Sequence, residues 1–312
     1  MNIVKLKKSD KHFLHAFLKK GPTRFLLNLP LSDADKSNYL FECLSSSLVS
    51  DHSLLISSPS QGVIIQVECL PWDTEVLGIP TARIQIFQKN CNGECSPKEQ
   101  ARMIDMVLDE ARQRGVKFMS IKVLSDEIRW LNTLEDKSFR IKDNELVLMH
   151  NRMRLNPQER YAPVYSIHKQ TVTGLDRLAA LFSRSRFAND EHFQEDVIQK
   201  MWRTSLENCC IDSAHRVFLA KKDAAPIGIL ALKRQKIGTA NVYSIYLMGV
   251  ENSFQRKNIG TTLVCKALEY IEDSSQYLMV ETQIHNYIAL KFYQKVGFNH
   301  VVESRICMHC WL

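Results

Sequence analysis

The chain has 312 residues, 45% hydrophobic and 24% charged, with a formal net charge of +7. That length holds two ordinary domains with cores of their own, and the composition is that of a globular protein rather than a disordered or collagen-like one. No apolar stretch approaches the roughly 18 residues of a membrane span. Lys11, His12 and His15 interrupt every candidate signal-peptide core, and nine cysteines without secretory context read as free thiols, so a cytoplasmic protein is expected. Lys5, Lys7, Lys8, Lys11, Lys19, Lys20 and Arg24 crowd the first 24 positions. They are read as a solvated basic face or as an attraction for an anionic partner. With no aromatic-interleaved basic stripe beside them, nucleic acid is not expected.

In chain order, residues 9–20 and 34–48 carry helical patterns with Ser9 and Ser32 or Asp33 as caps, and 57–60 is expected as a loop. Residues 1–60 are thus expected to form an N-terminal helical extension. Segments 62–69 and 81–87 are β-branched and near-alternating, hence strands. Between them lies Leu70-Pro-Trp-Asp-Thr-Glu-Val-Leu-Gly78-Ile-Pro80, read as a loop from its Pro and Gly. Helix 101–113, strand 117–123, helix 127–136 and strand 139–149 complete a unit over 61–155, and 152–163 reads as a linker. A second unit, 160–312, opens with helices at 175–187 and 192–207, the latter capped by Asp190 or Asn189. Strands 216–222 and 226–233 follow, then an apolar strand near 246–250. After it come helix 263–271, strand 277–283, helix 288–295 and a strand from Phe298 through Met308. Cys91-x-x-x-Cys95 and Cys307-Met-His-Cys310 have metal-like spacing. In a strand, however, Cys307 and Cys310 point to opposite faces, so no metal site is expected.

The segment Gln255-Arg-Lys-Asn-Ile-Gly260, between an apolar strand and a helical pattern from Thr261, is a candidate pyrophosphate cradle. First-turn amides have no intrahelical partner, and the helix dipole adds positive potential there. The segment resembles the Gln/Arg-x-x-Gly-x-Gly/Ala acetyl-CoA signature of the GNAT N-acetyltransferases, with Thr262 where the second small residue usually sits. About 26 residues past Gly260 comes Asn286-Tyr-Ile-Ala289-Leu-Lys-Phe-Tyr293, then Gly297-Phe298, which resembles the next strand and helix of that family. Asn286 and Tyr293 are two helical turns apart and share a side. On its own Tyr293 is also an ordinary amphipathic-helix aromatic, and Gly297 a C-terminal cap. The resemblance implies an α/β (α+β) GNAT fold, a central mixed sheet flanked by helices, with acetyl-CoA as co-substrate. Its binding residues would be Leu247, Met248, Gly249 and Val250 on the central strand and Gln255, Arg256, Lys257, Asn258, Ile259, Gly260 and Thr261 in the turn. Asn286, Ala289 and Tyr293 on the later helix would complete the set.

Residues 99–150 repeat the element order of 263–308. Trp130 through Phe139 aligns without gaps on Ala289 through Phe298, which puts Leu134 where Tyr293 stands and Glu127 where Asn286 stands. Residues 92–98 replace the pyrophosphate turn. The chain therefore reads as a tandem, a degenerate N-terminal GNAT-like unit followed by a complete C-terminal GNAT domain, with one acetyl-CoA expected per chain.

Two further segments narrow the resemblance. Leu70-Pro-Trp-Asp…Leu77-Gly78, with Leu77 for the family's Phe, and Phe182-Ser-Arg-Ser-Arg-Phe187-x-x-Asp190…Trp202 are similar to the dTDP-fucosamine acetyltransferases. So is Thr282-Gln283-x-x-Asn286. The likeness covers about residues 65–312. It implies an amino-sugar nucleotide acceptor for surface-polysaccharide synthesis, bound by Arg186, Phe187, Asp190, Trp202, Trp72 and Gln283. Plainer readings stand beside it: core aromatics for the tryptophans, a helix cap for Asp190, solvated arginines for Arg184 and Arg186. Family precedent implies a backbone amide near 247–250 against the thioester carbonyl and Tyr293 as the acid for the departing thiolate. Glu281 or Glu251, or solvent alone, would take the ammonium proton. Cys265 reads as core, so direct attack is expected. A protein lysine, an amino acid or another small amine is the rival acceptor, and a CoA-binding regulatory module the rival class. Oligomeric state is open, a homodimer being one option.

Overall fold

Leu14, Phe17 and Leu18 form one stripe of α1 (Lys11–Lys19), and Leu40 and Leu44 one stripe of α2 (Asp33–Ser47). Both stripes bury against Leu55, Ile64 and Phe87, as the helical period requires. Ser32 caps α2, its Oγ accepting from the Asp35 amide at 3.1 Å. Ser9 lies inside a 3-10 turn, Lys8–Asp10, that leads into α1. The structure is a computed structural model that describes residues 3–19, 28–89, 95–152, 155, 162–182, 185–212, 215–271 and 276–312.

The first 60 residues are not a separate helical extension. They carry β1 (Val4–Lys5) and β2 (Ser53–Ser58), which pair antiparallel with each other, and β2 pairs with β3 (Val63–Cys69). β3 reads as an almost unbroken apolar run because both of its faces are covered. Ile64 packs under α1 and α2, whereas Val63, Ile65 and Val67 pack into a core on the other face. The expected loop at 70–80 is largely α3 (Pro71–Leu77): Pro71 opens it at a position where its missing amide costs nothing, and Gly78, at φ 68°, ends it. β4 (Thr81–Gln88), α4 (Pro97–Gln113), β5 (Phe118–Leu124), α5 (Ile128–Asp136) and β6 (Arg140–His150) follow. On α4, Met103, Ile104, Val107, Leu108 and Ala111 face that second core; each large side chain contributes about 1.5–3 kcal/mol by burial. Part of the N-terminal positive charge is matched internally. Lys5 pairs with Glu110, and that hydrogen bond holds the Glu110 carboxyl below the usual range.

The later elements are β7 (Val164–Ile167), α6 (Asp176–Ala179), α7 (Glu195–Ile211), β8 (His215–Lys222), β9 (Ala225–Ile237) and β10 (Ala240–Val250). α8 (Ile259–Tyr270), β11 (Tyr277–Gln283), α9 (Tyr287–Lys295) and β12 (Phe298–Trp311) complete the chain. α6 is one turn, continued by a 3-10 turn Ala180–Phe182, where a helix over 175–187 was expected. α7 begins at Glu195 after Gln194, so Asp190 does not cap it.

The chain divides into two units: residues to Asp143 with 237–239 and 304–312, and residues 144–236 with 240–303. The divisions fall inside β6 and β12. The linker expected at 152–163 lies mostly outside the described residues, as do Cys91 and Arg184. In the first unit the strands run β1-β2-β3-β4-β5, followed by the C-terminal half of β12, whose Arg305–Trp311 pair antiparallel with Phe118–Leu124. In the second they run β6-β11-β10-β9-β8-β7. One face of that sheet is covered by α8 and α9, the other by α6 and α7.

His150 ties the end of β6 to the end of α9. Its Nε2–H donates to the Val296 carbonyl at 2.9 Å, and its Nδ1 accepts from the Arg152 amide at 2.9 Å. Gly297, at φ 95°, passes so close that a Cβ would lie 2.7 Å from that ring. Burial holds the His150 pKa below 6.5, so between the folded value and 6.5 the unfolded chain binds more protons. Stability is therefore expected to fall on acidification through that window, by up to about 1.4 kcal/mol per pH unit for one proton. His150→Gln keeps both hydrogen bonds without the titration. Denaturant melts from pH 7.5 to 5 should show a shallower slope in the variant; equal slopes would remove His150 as a cause.

Candidate active site

β10 and β11 are parallel and registered only from Val242↔Tyr277 to Ile245↔Val280. β10 nevertheless continues to Val250 and β11 to Gln283, so the two strands part at their C-terminal ends. The side-chain alternation of β10 breaks at the same place. Tyr243, Ile245, Met248 and Val250 pack toward α8, whereas Leu247 joins the α6–α7 core. Gly249 faces that core as well: a Cβ on it would lie 3.0 Å from Leu181 and 3.3 Å from Phe182. Three steps between same-face residues, instead of two, mark one extra residue near Tyr246, a bulge. A bulge leaves its extra residue out of the ladder, beside the place where β10 and β11 part.

The turn between β10 and α8 is wound tightly. Gln255 Nε2 donates to the Val250 carbonyl at 3.1 Å and to Asn252 Oδ1 at 2.9 Å. Arg256 and Asn258 both take left-handed φ, 59° and 58°. Gln255, Arg256, Lys257 and Asn258 are exposed and Ile259 is buried. α8 begins with no side-chain cap from Asn258 and no acidic residue in its first turn. The first-turn amides of Ile259, Gly260 and Thr261 have no acceptor within the helix. Gly260 brings α8 against Phe292, whose ring carbons would lie 3.1 Å from a Cβ there, and against Met248. An anion is the natural complement of this end.

On α9, Asn286 is the N-cap, its Oδ1 accepting from the Ala289 amide at 3.2 Å. Ala289 is half-buried, and Tyr293 is buried with its ring in edge contact with Phe292 and Phe298 at 5.4 and 5.5 Å. Burial pushes the Tyr293 phenol well above its ordinary pKa, so it stays protonated at physiological pH. Glu281 lies one residue past the last β10/β11 pair and is exposed. Glu251 is engaged elsewhere: Ser253 Oγ donates to it at 3.2 Å and Arg177 lies 3.6 Å away. Cys265 is buried inside α8.

On the face of α6 and α7, Trp202 stacks tilted on Phe182 at 5.6 Å, and its Nε1 is buried without a hydrogen-bond partner among the described residues. Asp190, 1% exposed, accepts from His192, amide at 3.3 Å and Nδ1 at 2.9 Å. It thus orders a turn rather than α7. Phe187 packs edge-on to Phe193, and the Arg186 guanidinium lies 4.5 Å over the Phe187 ring. Arg186 also approaches Glu145 of β6, at 4.0 Å. Glu145 is the register partner of Gln283. Sequence reasoning missed it, because its strand is assigned in chain order to the first unit. Trp72 stands half-buried in α3 of the first unit.

The first unit has the same frame with the openings closed. β4 and β5 are parallel over four pairs, Thr81↔Phe118 to Ile84↔Ile121, and β4 runs on to Gln88. Trp130, aligned with Ala289, is 1% exposed and donates its indole N–H to Gln88 at 2.7 Å. Leu134, aligned with Tyr293, is fully buried in the core. α4 starts with Ser96 capping the Glu99 amide at 3.3 Å, with Pro97, which has no amide, and with an acidic first-turn residue, Glu99. An anion finds fewer donors there than at α8, and Glu99 opposes its charge.

Residues 175–298 match the Acetyltransferase (GNAT) family. The chain is 21% identical over 265 residues, 83% of its own length and 86% of the relative's, to the spore coat polysaccharide biosynthesis protein SpsD of Bacillus subtilis (strain 168). It superposes on a tandem GNAT protein from the clavulanic acid biosynthesis pathway with TM-score 0.57 and 14% identity, over 99% of this chain and 98% of that one. A GCN5-related N-acetyltransferase from Sphaerobacter thermophilus gives TM-score 0.57 at 10% identity, over 99% and 95%. These matches carry the GNAT fold, with its mixed sheet and flanking helices, and identify an acetyltransferase domain in the second unit.

Proposed function

We propose that this GNAT acyltransferase binds one acetyl-CoA in the β10/β11 opening and transfers the acetyl group to the amine of a nucleotide-linked amino-deoxysugar, a cytoplasmic step toward a surface polysaccharide. One observation carries the cofactor side: α8 begins uncapped and acid-free beside the parting of β10 and β11, whereas α4 is capped and the corresponding opening filled by Trp130. The relative named for spore coat polysaccharide biosynthesis and the arginine and aromatics on the α6–α7 face support the acceptor.

In this reading, first-turn amides of α8 with Arg256 and Lys257 hold the pyrophosphate, Asn286 and Ala289 flank the pantetheine arm, and Leu247–Val250 carry it as an added edge partner. Acetyl-CoA supplies an activated thioester. An amide of the bulged stretch offers a hydrogen bond where negative charge develops on the carbonyl oxygen. Glu281 takes one proton from the ammonium, directly or through water, and Tyr293 returns one to the departing thiolate. The balance is ammonium plus thioester to amide, free thiol and one released proton. Holding both substrates together supplies much of the rate.

A thermal-shift screen of CoA esters and dTDP-linked 4-amino sugars tests this, followed by thiol release from acetyl-CoA. At about 100-fold over Kd a ligand stabilises by about 2.7 kcal/mol, several degrees for a unit of this size. Calorimetry should count one acetyl-CoA per chain; two equivalent sites would refute the filled first unit. Gly260→Asp should abolish that binding in a folded protein. An acidic residue in a first turn suits the helix dipole yet repels a pyrophosphate, and Phe292 needs only to tilt away. Unchanged affinity would move the cofactor elsewhere.

A further inference from the structure

Register along β6 and β11 sorts their side chains by face. Leu278 and Val280 of β11 and Leu146 and Leu148 of β6 pack toward α8 and α9. Glu281 and Gln283, with their partners Val147 and Glu145, therefore face the side of α6 and α7. Glu145 is 5% exposed there, with the half-buried Arg186 at 4.0 Å. Burying a carboxylate is costly unless a cation compensates it. At 4.0 Å this cation is not locked in the tight fork of about 2.7–2.9 Å that a strong guanidinium–carboxylate pair makes. Beside Arg186 in sequence, Ser185 is 5% exposed and its Oγ has no hydrogen-bond partner among the described residues; the same holds for Trp202 Nε1. Buried donors usually find a partner, and an ordered water or a bound ligand can supply it.

We propose that Glu145 is the carboxylate that receives the acceptor's ammonium, and that Arg186 is its resident counter-ion, displaced by that ammonium and turned toward an anionic group of the same acceptor. A ligand carrying an amine at one end and a diphosphate at the other meets both demands, and a simple amine meets only the first. The exchange also makes recognition of the two ends interdependent. The inference rests on acetyl transfer to an amine in the β10/β11 opening.

The full chain and three variants test it: Glu145→Gln, Arg186→Met and the double variant. Without ligand, Arg186→Met should melt several degrees lower, because the buried Glu145 loses the guanidinium beside it, and adding Glu145→Gln should restore most of the loss. With ligand, the probes are dTDP-4-amino-4,6-dideoxygalactose and its hydroxyl isostere dTDP-fucose. The wild type should prefer the amine by about 10- to 100-fold, the scale of one charge-assisted hydrogen bond, and Glu145→Gln should lose that preference while binding acetyl-CoA as before. If glucosamine or a lysine peptide is acetylated instead, the sugar-nucleotide reading fails, and the loss of amine binding in Glu145→Gln on that substrate still supports Glu145. A wild-type amine preference in Glu145→Gln, or an Arg186→Met protein as stable as the wild type, overturns the exchange.

Discussion

Tyr293→Phe is expected to fold, to bind acetyl-CoA with unchanged affinity and to lose most turnover, by about 10²–10⁴-fold, the range of a general acid. Packing argues for the intact fold: the ring meets Phe292 and Phe298 edge-on, and phenylalanine keeps both contacts. Chemistry argues for the loss. A phenol raised by burial stays protonated throughout the working range, so it can donate to a thiolate at any pH at which the protein operates. Without it, a thiolate beside these buried rings would have to leave unprotonated, where charge is costly. Steady-state thiol release with a working amine, beside acetyl-CoA titration by calorimetry, separates the two effects. A fall below about threefold, well short of the general-acid range, would exclude Tyr293 as the acid.

The half of the chain that follows β10 is legible because its signals are local. Gln255 through Gly260 lie in one turn, and Asn286 and Tyr293 on one helix, so sequence spacing alone puts them together. The repeat is legible for the same reason, and Trp130 on the register of Ala289 already carries the reason the first opening is closed. Segment 53–58 is harder: Ser-Leu-Leu-Ile-Ser-Ser is short and flanked by polar residues, and pairing with β3 and β1 makes it a strand. In α3, Pro71 and Gly78 punctuate the sequence as a loop would, yet Pro71 stands at a first helical position and Gly78 at the helix end. Glu145 had no local signal at all. The role proposed for it rests on the register of β6 against β11 and on Arg186, both remote in sequence.

A fragment of residues 160–312 is expected to be unfolded or aggregated and inactive, although it contains every residue proposed for the acetyl-CoA site. Two strand exchanges within the units explain why. In the second unit, Met279–Gln283 of β11 pair with Met149 through Glu145 of β6, and Leu148 lies in the core under α8 and α9. The fragment lacks them, so β11, the strand carrying Glu281, becomes an open edge with an uncovered apolar side. At the other end, Arg305–Trp311 keep their length but lose their partner strand, Phe118–Leu124, and Met308 and Cys310 leave the first unit's core. Exposing large buried side chains costs about 1.5–3 kcal/mol each, and a domain has only about 5–15 kcal/mol to lose. Circular dichroism and thiol-release assays of the fragment beside the full chain check this. A fragment that melts cooperatively and turns over at the full-length rate would show that β6 is dispensable, and with it the placement of Glu145 in the acceptor site.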